Sequence, residues 1–345
     1  MRLRISLVVV SLLLSAAIGF ALRRSESESS GGERKLRIGL SLDTLEVERW
    51  QHDRDLFTAR ARELGADVLA ISASGDDERQ VRDCQGLIND KVDVLVIVAH
   101  DGTAMAEAVR RAHEAAIPVI AYDRLILGCD LDLYVTCDNV RVGELQAGYI
   151  ADRFKGKKAR IVRIIGPKSD NNAALFKIGQ DHVLQPLIDR GELTIVHEDY
   201  DDGWRADVAK RIVTAAITQA GRNIDAVLSP GDFTSGAVVQ ALSEEGLAGK
   251  VLVTGQDADL VACQRIVEGT QAMTIYKPLK LLAIRAADLA VKLGRRQPIV
   301  VRDSINNGKI DVPSVLLPVT VVDRESMDRT VIAEGFHTHA EIYGK

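Results

Sequence analysis

The chain is poor in cysteine and in aromatic residues. Its four cysteines, Cys84, Cys129, Cys137 and Cys263, form no CxxC spacing, which argues against a zinc site or a thioredoxin-like redox pair. Cys129 and Cys137 are close in sequence, and a disulfide between them requires strands that face each other within a narrow geometric range. Aromatic residues make up 4% of the chain, and only two are tryptophan. A basic excess is also missing. Against 44 Lys and Arg stand 49 Asp and Glu, a formal net charge of −5, so nothing is available to neutralise a phosphate backbone and nucleic acid is not a main partner. The local basic spot "KGKKAR" at 155–160 reads as a solvated helix end. No GxGxxG follows the first apolar run, and no GxxxxGK[ST] occurs, which removes the usual signatures of dinucleotide and nucleoside-triphosphate binding. The seven histidines are scattered. "HTH" at 337–339 has metal donors but, near the C-terminus, reads as surface polar sequence. No cofactor and no metal are expected.

What is present falls into two parts. Residues 1–22 hold a short basic start, "MRLR", and then "ISLVVVSLLLSAAIGFAL", an uncharged, mostly apolar run of 18 residues. Residues 23–35, "RRSESESSGGERK", follow as a polar linker. This is an export signal or an N-terminal anchor. "GFA" offers a weak small-x-small cleavage site after Ala21, and the run is long for a signal's apolar region and marginal for a spanning helix. No cysteine follows it, which speaks against a lipoprotein anchor. The folded part is expected in the periplasm or another extracytoplasmic space, tethered to the cytoplasmic membrane if residues 5–22 are retained.

From residue 36 short apolar runs alternate with helical stretches. The runs are "LRIGLSL" (36–42), "DVLAIS" (67–72), "DVLVIVA" (93–99), "PVIAYD" (118–123) and "DLYVT" (132–136), then "ARIVRIIG" (159–166), "LTIVHE" (193–198), "IDAVLS" (224–229), "VLVTG" (251–255) and "AMTIY" (272–276). Strand, helix, strand at this period predicts βαβ units and parallel sheets, and continuous apolar strands fit sheets covered on both faces. The expected fold is α/β, with two doubly wound domains and a break near "CDNVRVGELQ" (137–146).

Such sheets bind ligands beyond the carboxyl ends of their strands. Those ends read "SLDTLEVERW", "AYDR", "GPKSDNNA", "SPGDF", "TGQDAD" and "IYKP", which collects Asp, Asn, Arg, Lys and Trp at one edge. Sugar hydroxyls both donate and accept hydrogen bonds, and amides, carboxylates and guanidinium groups match them. The C–H faces of a pyranose pack on indole. With no Ser/His nucleophile pair, this edge suits holding a sugar better than breaking one. Paired carboxylates alone suffice for glycoside hydrolysis, so an enzyme stays a competing class, to be tested by sugar turnover.

These residues carry a resemblance. From about 36 to about 337 the chain resembles the periplasmic D-xylose-binding proteins, within the ribose-type (type I, cluster B) sugar-binding proteins of ABC transporters. The markers are "ERWQHDRD", "KVDVLVIV", "AYDR", "DNVRVGELQA", "DNNA", "DGW", "TGQDAD", "YKP" and "NNGKIDVPS". "ERWQ", "DNNA" and "DGW" in that order are the specific ones. The resemblance implies two lobes joined by three crossover strands, expected at 36–139 plus 279–308 and at 140–277 plus 309–345. It implies that Trp50 and Trp204 stack on the two ring faces and that Arg49, Asp123, Arg124, Asn172, Asp257 and Lys277 bind hydroxyls. For Asp123 and Arg124 the competing reading is a mutual ion pair, for Asn172 a helix N-cap, and for Asp257 and Lys277 an interdomain ion pair. One departure stands out. Where the family has asparagine in an "SND"-type turn, this chain has "SPGD", which puts Gly231 at that position. Glycine supplies no amide, so one sugar hydroxyl loses a partner, a loss of about 1–3 kcal/mol if unreplaced.

The implied function is capture of D-xylose or a similar monosaccharide by a monomer that delivers it to an ABC permease. The alternative is a membrane-tethered sensor that passes its ligand-closed shape to a histidine kinase. A mature N-terminus near Leu22 favours the carrier. The export segment and the missing DNA-binding headpiece speak against a sugar-responsive repressor.

Overall fold

The computed structural model describes residues 34–344. The apolar segment and most of the polar linker expected at 1–35 lie outside the described residues. The apolar runs become strands: β1 (Leu36–Leu42), β2 (Ala66–Ser72), β3 (Val94–Ile97), β4 (Val119–Tyr122) and β5 (Leu133–Cys137), then β6 (Ala159–Ile165), β7 (Leu193–Tyr200), β8 (Ala226–Leu228), β9 (Leu252–Val253) and β10 (Thr274–Tyr276). Three more follow: β11 (Asp303–Asn306), β12 (Asp311–Leu317) and β13 (Thr320–Val322). A seven-stranded sheet has the order β11-β12-β5-β4-β3-β1-β2, parallel except at its β11 edge, and a four-stranded parallel sheet has the order β7-β6-β8-β9. β10 pairs with β13 as an antiparallel ribbon. It runs on beside β9, with Ala272 N–H donating to Val253 O at 2.9 Å. The two doubly wound parallel sheets are those expected.

The first sheet shows why continuous apolar strands mean two covered faces. Every residue of β3, β4 and β5 is buried. Val94 and Val96 join Ile38 and Leu40 in one core, while Leu95 and Ile97 join Leu87 and Val109 in another. This is the period of two that alternate strand side chains dictate. The first core is closed by α1 (Glu48–Glu63) and α9 (Leu279–Gly294), the second by α2 (Asp77–Asn89) and α3 (Ala106–Glu114). The second sheet is covered by α4 (Asn139–Arg153), α5 (Asn171–Asp189), α6 (Ala206–Ala220) and α7 (Asp232–Glu244), with α8 (Leu260–Glu268) and α10 (His339–Tyr343) beyond.

The chain passes between the sheets three times: after β5 at Asp138, after β10 at Lys277, and between β12 and β13. The last crossing corrects the expected boundary. Residues 309–317 were placed with the second lobe, but β12 pairs in parallel with β5 of the first sheet, from Ser314 opposite Tyr134 to Leu317 opposite Cys137. "NNGK" is therefore a hairpin turn between β11 and β12, with Gly308 at φ 88°, as an Asn-Gly pair between strands favours. The Asn307 amide fastens that turn by donating to Ile126 O and Cys129 O at 3.1 and 2.9 Å. Cys129 and Cys137 are free and buried, as are the other two cysteines. His337 is buried, with Nε2 2.9 Å from Ala258 O, so it packs inside rather than lying on a polar surface.

Helices α4 and α5 touch at two glycines. A Cβ at Gly143 would overlap Phe176 O, and one at Gly179 would overlap Val140 O. Both obstacles are backbone and cannot swing away. Gly179→Ala should therefore lower stability by about 1–3 kcal/mol through overpacking, read as an earlier urea midpoint with an unchanged slope. A wild-type midpoint would contradict this close approach.

Candidate functional site

The carboxyl ends of both sheets meet around a cavity of about 480 Å³. All eight residues singled out from the sequence line it: Arg49, Trp50, Asp123, Arg124, Asn172, Trp204, Asp257 and Lys277. They arrive from separate elements. Arg49 and Trp50 open α1, Asp123 and Arg124 follow β4, and Asn172 lies in the first turn of α5. Trp204 precedes α6, Asp257 follows β9, and Lys277 sits at the second crossing.

The charges form a buried network across the lobes. Arg49 is 3% exposed and contacts three carboxylates: Asp53 (Nε–Oδ2, 3.3 Å), Asp123 (Nη2–Oδ2, 2.9 Å) and, from the other lobe, Asp257 (Nη1–Oδ1, 3.3 Å). Lys277 Nζ reaches the same Asp257 oxygen at 3.5 Å. Arg124 joins Asp43 at 2.8 Å and, across the cleft, Asp170 at 2.9 Å. Asp123 and Arg124 thus bond to other groups rather than to each other. The N-cap of α5 is Asp170, whose Oδ1 accepts from Asn172 N–H at 2.9 Å. The Asn172 side chain spans the cleft instead. Its amide donates to Asp123 O and Oδ1, both at 3.1 Å, and its oxygen accepts from Asn139 Nδ2 at 2.8 Å.

The two tryptophans differ. Trp50 is 3% exposed and packs in the first core, with the Arg49 guanidinium carbon 4.1 Å and that of Arg124 5.5 Å from its ring centre. It has apolar neighbours and also forms cavity wall. Trp204 is half-buried, and its Nε1–H donates to Asp170 Oδ2 at 3.1 Å. Gly166 lies against its ring, where any Cβ would collide. Three of the eight residues have left-handed backbone: Asp123 at φ 64°, Trp204 at φ 56° and Asp257 at φ 94°. Such strain costs about 1–3 kcal/mol for each residue and gathers at functional sites, where surrounding contacts hold it.

Burial and charge set the ionisation states. Burial would push Asp123 up, but the Arg49, Lys277 and Arg124 charges hold it below the ordinary carboxylate range. Asp43 is likewise lowered, as His100 and Arg124 outweigh its burial. Asp53 is pushed up to about 6, by burial above all, although Arg49 and a hydrogen bond from Tyr122 Oη oppose the shift. On the second lobe Asp232 and Asp259 are both raised, by burial first. Asp259 also feels the Asp232 charge, and both feel Asp257.

Sequence reasoning missed several wall residues: Asp43, His100, Asp170, Phe176 and Gln256, and it raised Asp232 only as a substitute for the amide absent at Gly231. Asp43 and Gln256 sit in the strand-end stretches already quoted and were reachable by the same rule. Asp170 stands two positions before the asparagine that was chosen. Phe176, one turn into α5 with Lys277 Nζ 5.6 Å from its ring centre, gave no separate signal.

The fold and this cleft define a two-lobed α/β binding protein of the type that encloses a small polar ligand between lobes. The family model for the periplasmic binding protein domain matches residues 38–297, and the chain belongs to that family. It is 45% identical over 316 residues to the D-xylose-binding periplasmic protein of Haemophilus influenzae, covering 91% of this chain and 94% of that one. With the D-xylose-binding periplasmic protein of Escherichia coli the identity is 43%, over 90% and 93%. Among solved structures, the carbohydrate transporter solute-binding protein of Chloroflexus aurantiacus in complex with D-glucose superposes with a TM-score of 0.84 at 31% identity, covering 90% of this chain and 98% of that one.

The Asp232–Asp259 pair gives a pH signature. The folded state holds these protons more tightly than the unfolded chain, which releases them near 3.8. Their contribution to stability is therefore complete below about pH 4 and is lost as pH rises through neutral. Asp259→Asn should flatten the fall in stability between about pH 4 and pH 8 by at least about 1 kcal/mol, the worth of roughly one pKa unit. Urea unfolding of both proteins across that range measures it, and parallel curves would contradict the assignment.

Proposed function

We propose that the chain is an extracytoplasmic carrier that encloses D-xylose or a similar monosaccharide between its lobes and presents it to an ABC sugar permease. The observation that carries this reading is the convergence of all eight candidates on one cavity built from both sheets. The identity to two D-xylose-binding periplasmic proteins supports the sugar and the periplasmic location, and the likeness to a carbohydrate transporter solute-binding protein supports the partner. The working form is a monomer, with lobes at 36–138 plus 279–317 and 139–277 plus 320–344.

The geometry supplies a binding cycle. In an open form the Arg49 and Arg124 guanidiniums keep their first-lobe partners, Asp123 and Asp43, and lose Asp257 and Asp170. A sugar between the lobes offers hydroxyls that bond to both sets at once, so it favours the closed arrangement by its differential affinity for it. The indole rings of Trp50 and Trp204 provide the flat apolar surface that the C–H faces need. The role is capture without turnover. Asp123 and Asp170 are tied into ion pairs with Arg49 and Arg124, which suits hydroxyl recognition better than the acid–base exchange of glycoside cleavage.

Titration calorimetry of residues 36–345 with D-xylose tests the reading. Trp50→Ala and Trp204→Ala should each weaken binding about tenfold or more, the loss of an aromatic ring face. Because Trp50 also packs in the first core, Trp50→Leu separates lost stacking from lost folding. Wild-type affinity in both alanine variants would overturn the site.

A further inference from the structure

We propose that the C-terminal segment 336–343 braces the sugar site, with His337 as a positioning residue whose ring N–H fixes the Asp257–Ala258 turn that aims Asp257 at Arg49 and Lys277. The inference rests on the monosaccharide reading of the cavity and adds to it a residue outside the cavity wall.

The turn needs support. Asp257 at φ 94° and Ala258 at φ 54° are consecutive non-glycine residues in the left-handed region, which side chains disfavour. Three backbone groups pin it. The Asp257 N–H donates to Ile275 O at 2.8 Å, and the Ala258 N–H donates to Thr274 Oγ1 at 3.2 Å. Both of those partners belong to β10. The third group is the Ala258 carbonyl, and its partner comes from the far end of the chain. His337 Nε2 stands 2.9 Å from it, with both residues buried. A carbonyl oxygen only accepts, so this ring nitrogen carries the proton. The Cys263 thiol also reaches that oxygen, at 3.5 Å, but a thiol is a weak donor.

The segment that carries His337 is itself fixed. Thr338 and Glu341 form a capping box at the start of α10, with the Glu341 N–H donating to Thr338 Oγ1 at 3.2 Å and the Thr338 N–H to Glu341 Oε2 at 2.7 Å. Gln264 Nε2 on α8 donates to Glu341 O at 2.9 Å, and Ile342 packs in the core cluster that holds Ala258 and Tyr276. Phe336 meets Tyr276 edge-on, with ring centres 5.4 Å apart, and Tyr276 is the residue before Lys277. The Phe336 ring also lies 6.3 Å from that of His52 on α1. One short segment thus stands behind Asp257 and Lys277 and beside the helix that carries Arg49. Its effect on binding is preorganisation. While the turn is pinned, Asp257 presents its carboxylate before the sugar arrives. Without the pin the turn relaxes in the free protein, and closing on sugar has to order it again, which lowers affinity.

The test compares the wild type with His337→Leu, which removes the donor, and His337→Gln, which returns an amide N–H near the place of Nε2. Calorimetry with D-xylose should show binding weakened about tenfold in His337→Leu, the effect of one lost buried hydrogen bond, and within about threefold of wild type in His337→Gln. A role in packing alone predicts no such rescue. Melting curves report whether each variant is folded, and His337→Met replaces His337→Leu if that one is not. A second measurement needs no variant. Nitrogen-15 spectra of the wild-type ring at about pH 9, where a histidine is ordinarily neutral, should show the proton on Nε2. A proton on Nδ1 instead would overturn the proposal, because Nε2 could not then donate to Ala258. Wild-type affinity in His337→Leu, or equal losses in His337→Leu and His337→Gln, would also overturn it and leave the monosaccharide reading standing. No D-xylose binding by the wild type would overturn that reading, and the brace with it.

Discussion

Arg49 holds the cleft together. One guanidinium, almost sealed from water, meets Asp53 on its own helix, Asp123 at the end of β4 and Asp257 on the other lobe. A cation this deeply buried is tolerated only while its partners stay in place, and removing one partner of such a group typically costs about 3–5 kcal/mol. Much else follows from that constraint. Asp53 must be positioned, and Tyr122 Oη bonds to it. Asp123 must be held against its own backbone preference, and Tyr134 Oη and Thr136 Oγ1 each donate to its carbonyl at 2.8 Å. Asp257 must reach across, and its strained backbone is fixed by its N–H donating to Ile275 O at 2.8 Å.

This arrangement couples the sheets to the ligand. The candidates sit at the ends of strands packed on both faces, at or just before the first turns of helices, and at one crossing between the sheets. The three crossings are the only covalent links between the sheets among the described residues, and Lys277 lies on one of them, beside Asp257. Charges that pair across the cleft are stronger where water is excluded. They are also costly when left unpaired, so the cleft has strong alternatives, pairing or solvation, and little in between. A ligand that satisfies both walls decides between them.

Much of this was legible in the sequence, and the reason is topological. Parallel strands present their carboxyl ends on one side, so reading the polar residues after each apolar run locates the cavity without coordinates. That rule reached Trp50, Asp123 and Asp257, and it would have reached Asp43 and Gln256 had every strand end been followed through. What it could not supply is partnership. Nothing in "DNNA" shows that Asp170 rather than Asn172 caps the helix, or that the Asn172 amide bridges to Asp123; these depend on angles between elements. The third crossing was misplaced for a similar reason. "NNGKIDVPS" was read as a family marker and a lobe boundary, whereas the alternating burial of β12 and its pairing with β5 belong to a strand of the first sheet.

The central claim is that groups from both lobes close on one sugar. Small-angle X-ray scattering of the protein with and without saturating D-xylose tests it most directly, since hinge closure changes the distribution of mass. The account predicts a smaller radius of gyration with sugar bound, and a smaller change in Asp257→Asn, which removes one of the two cross-cleft ion pairs and leaves Arg124–Asp170. Identical scattering with and without bound sugar, starting from an open form, would contradict it.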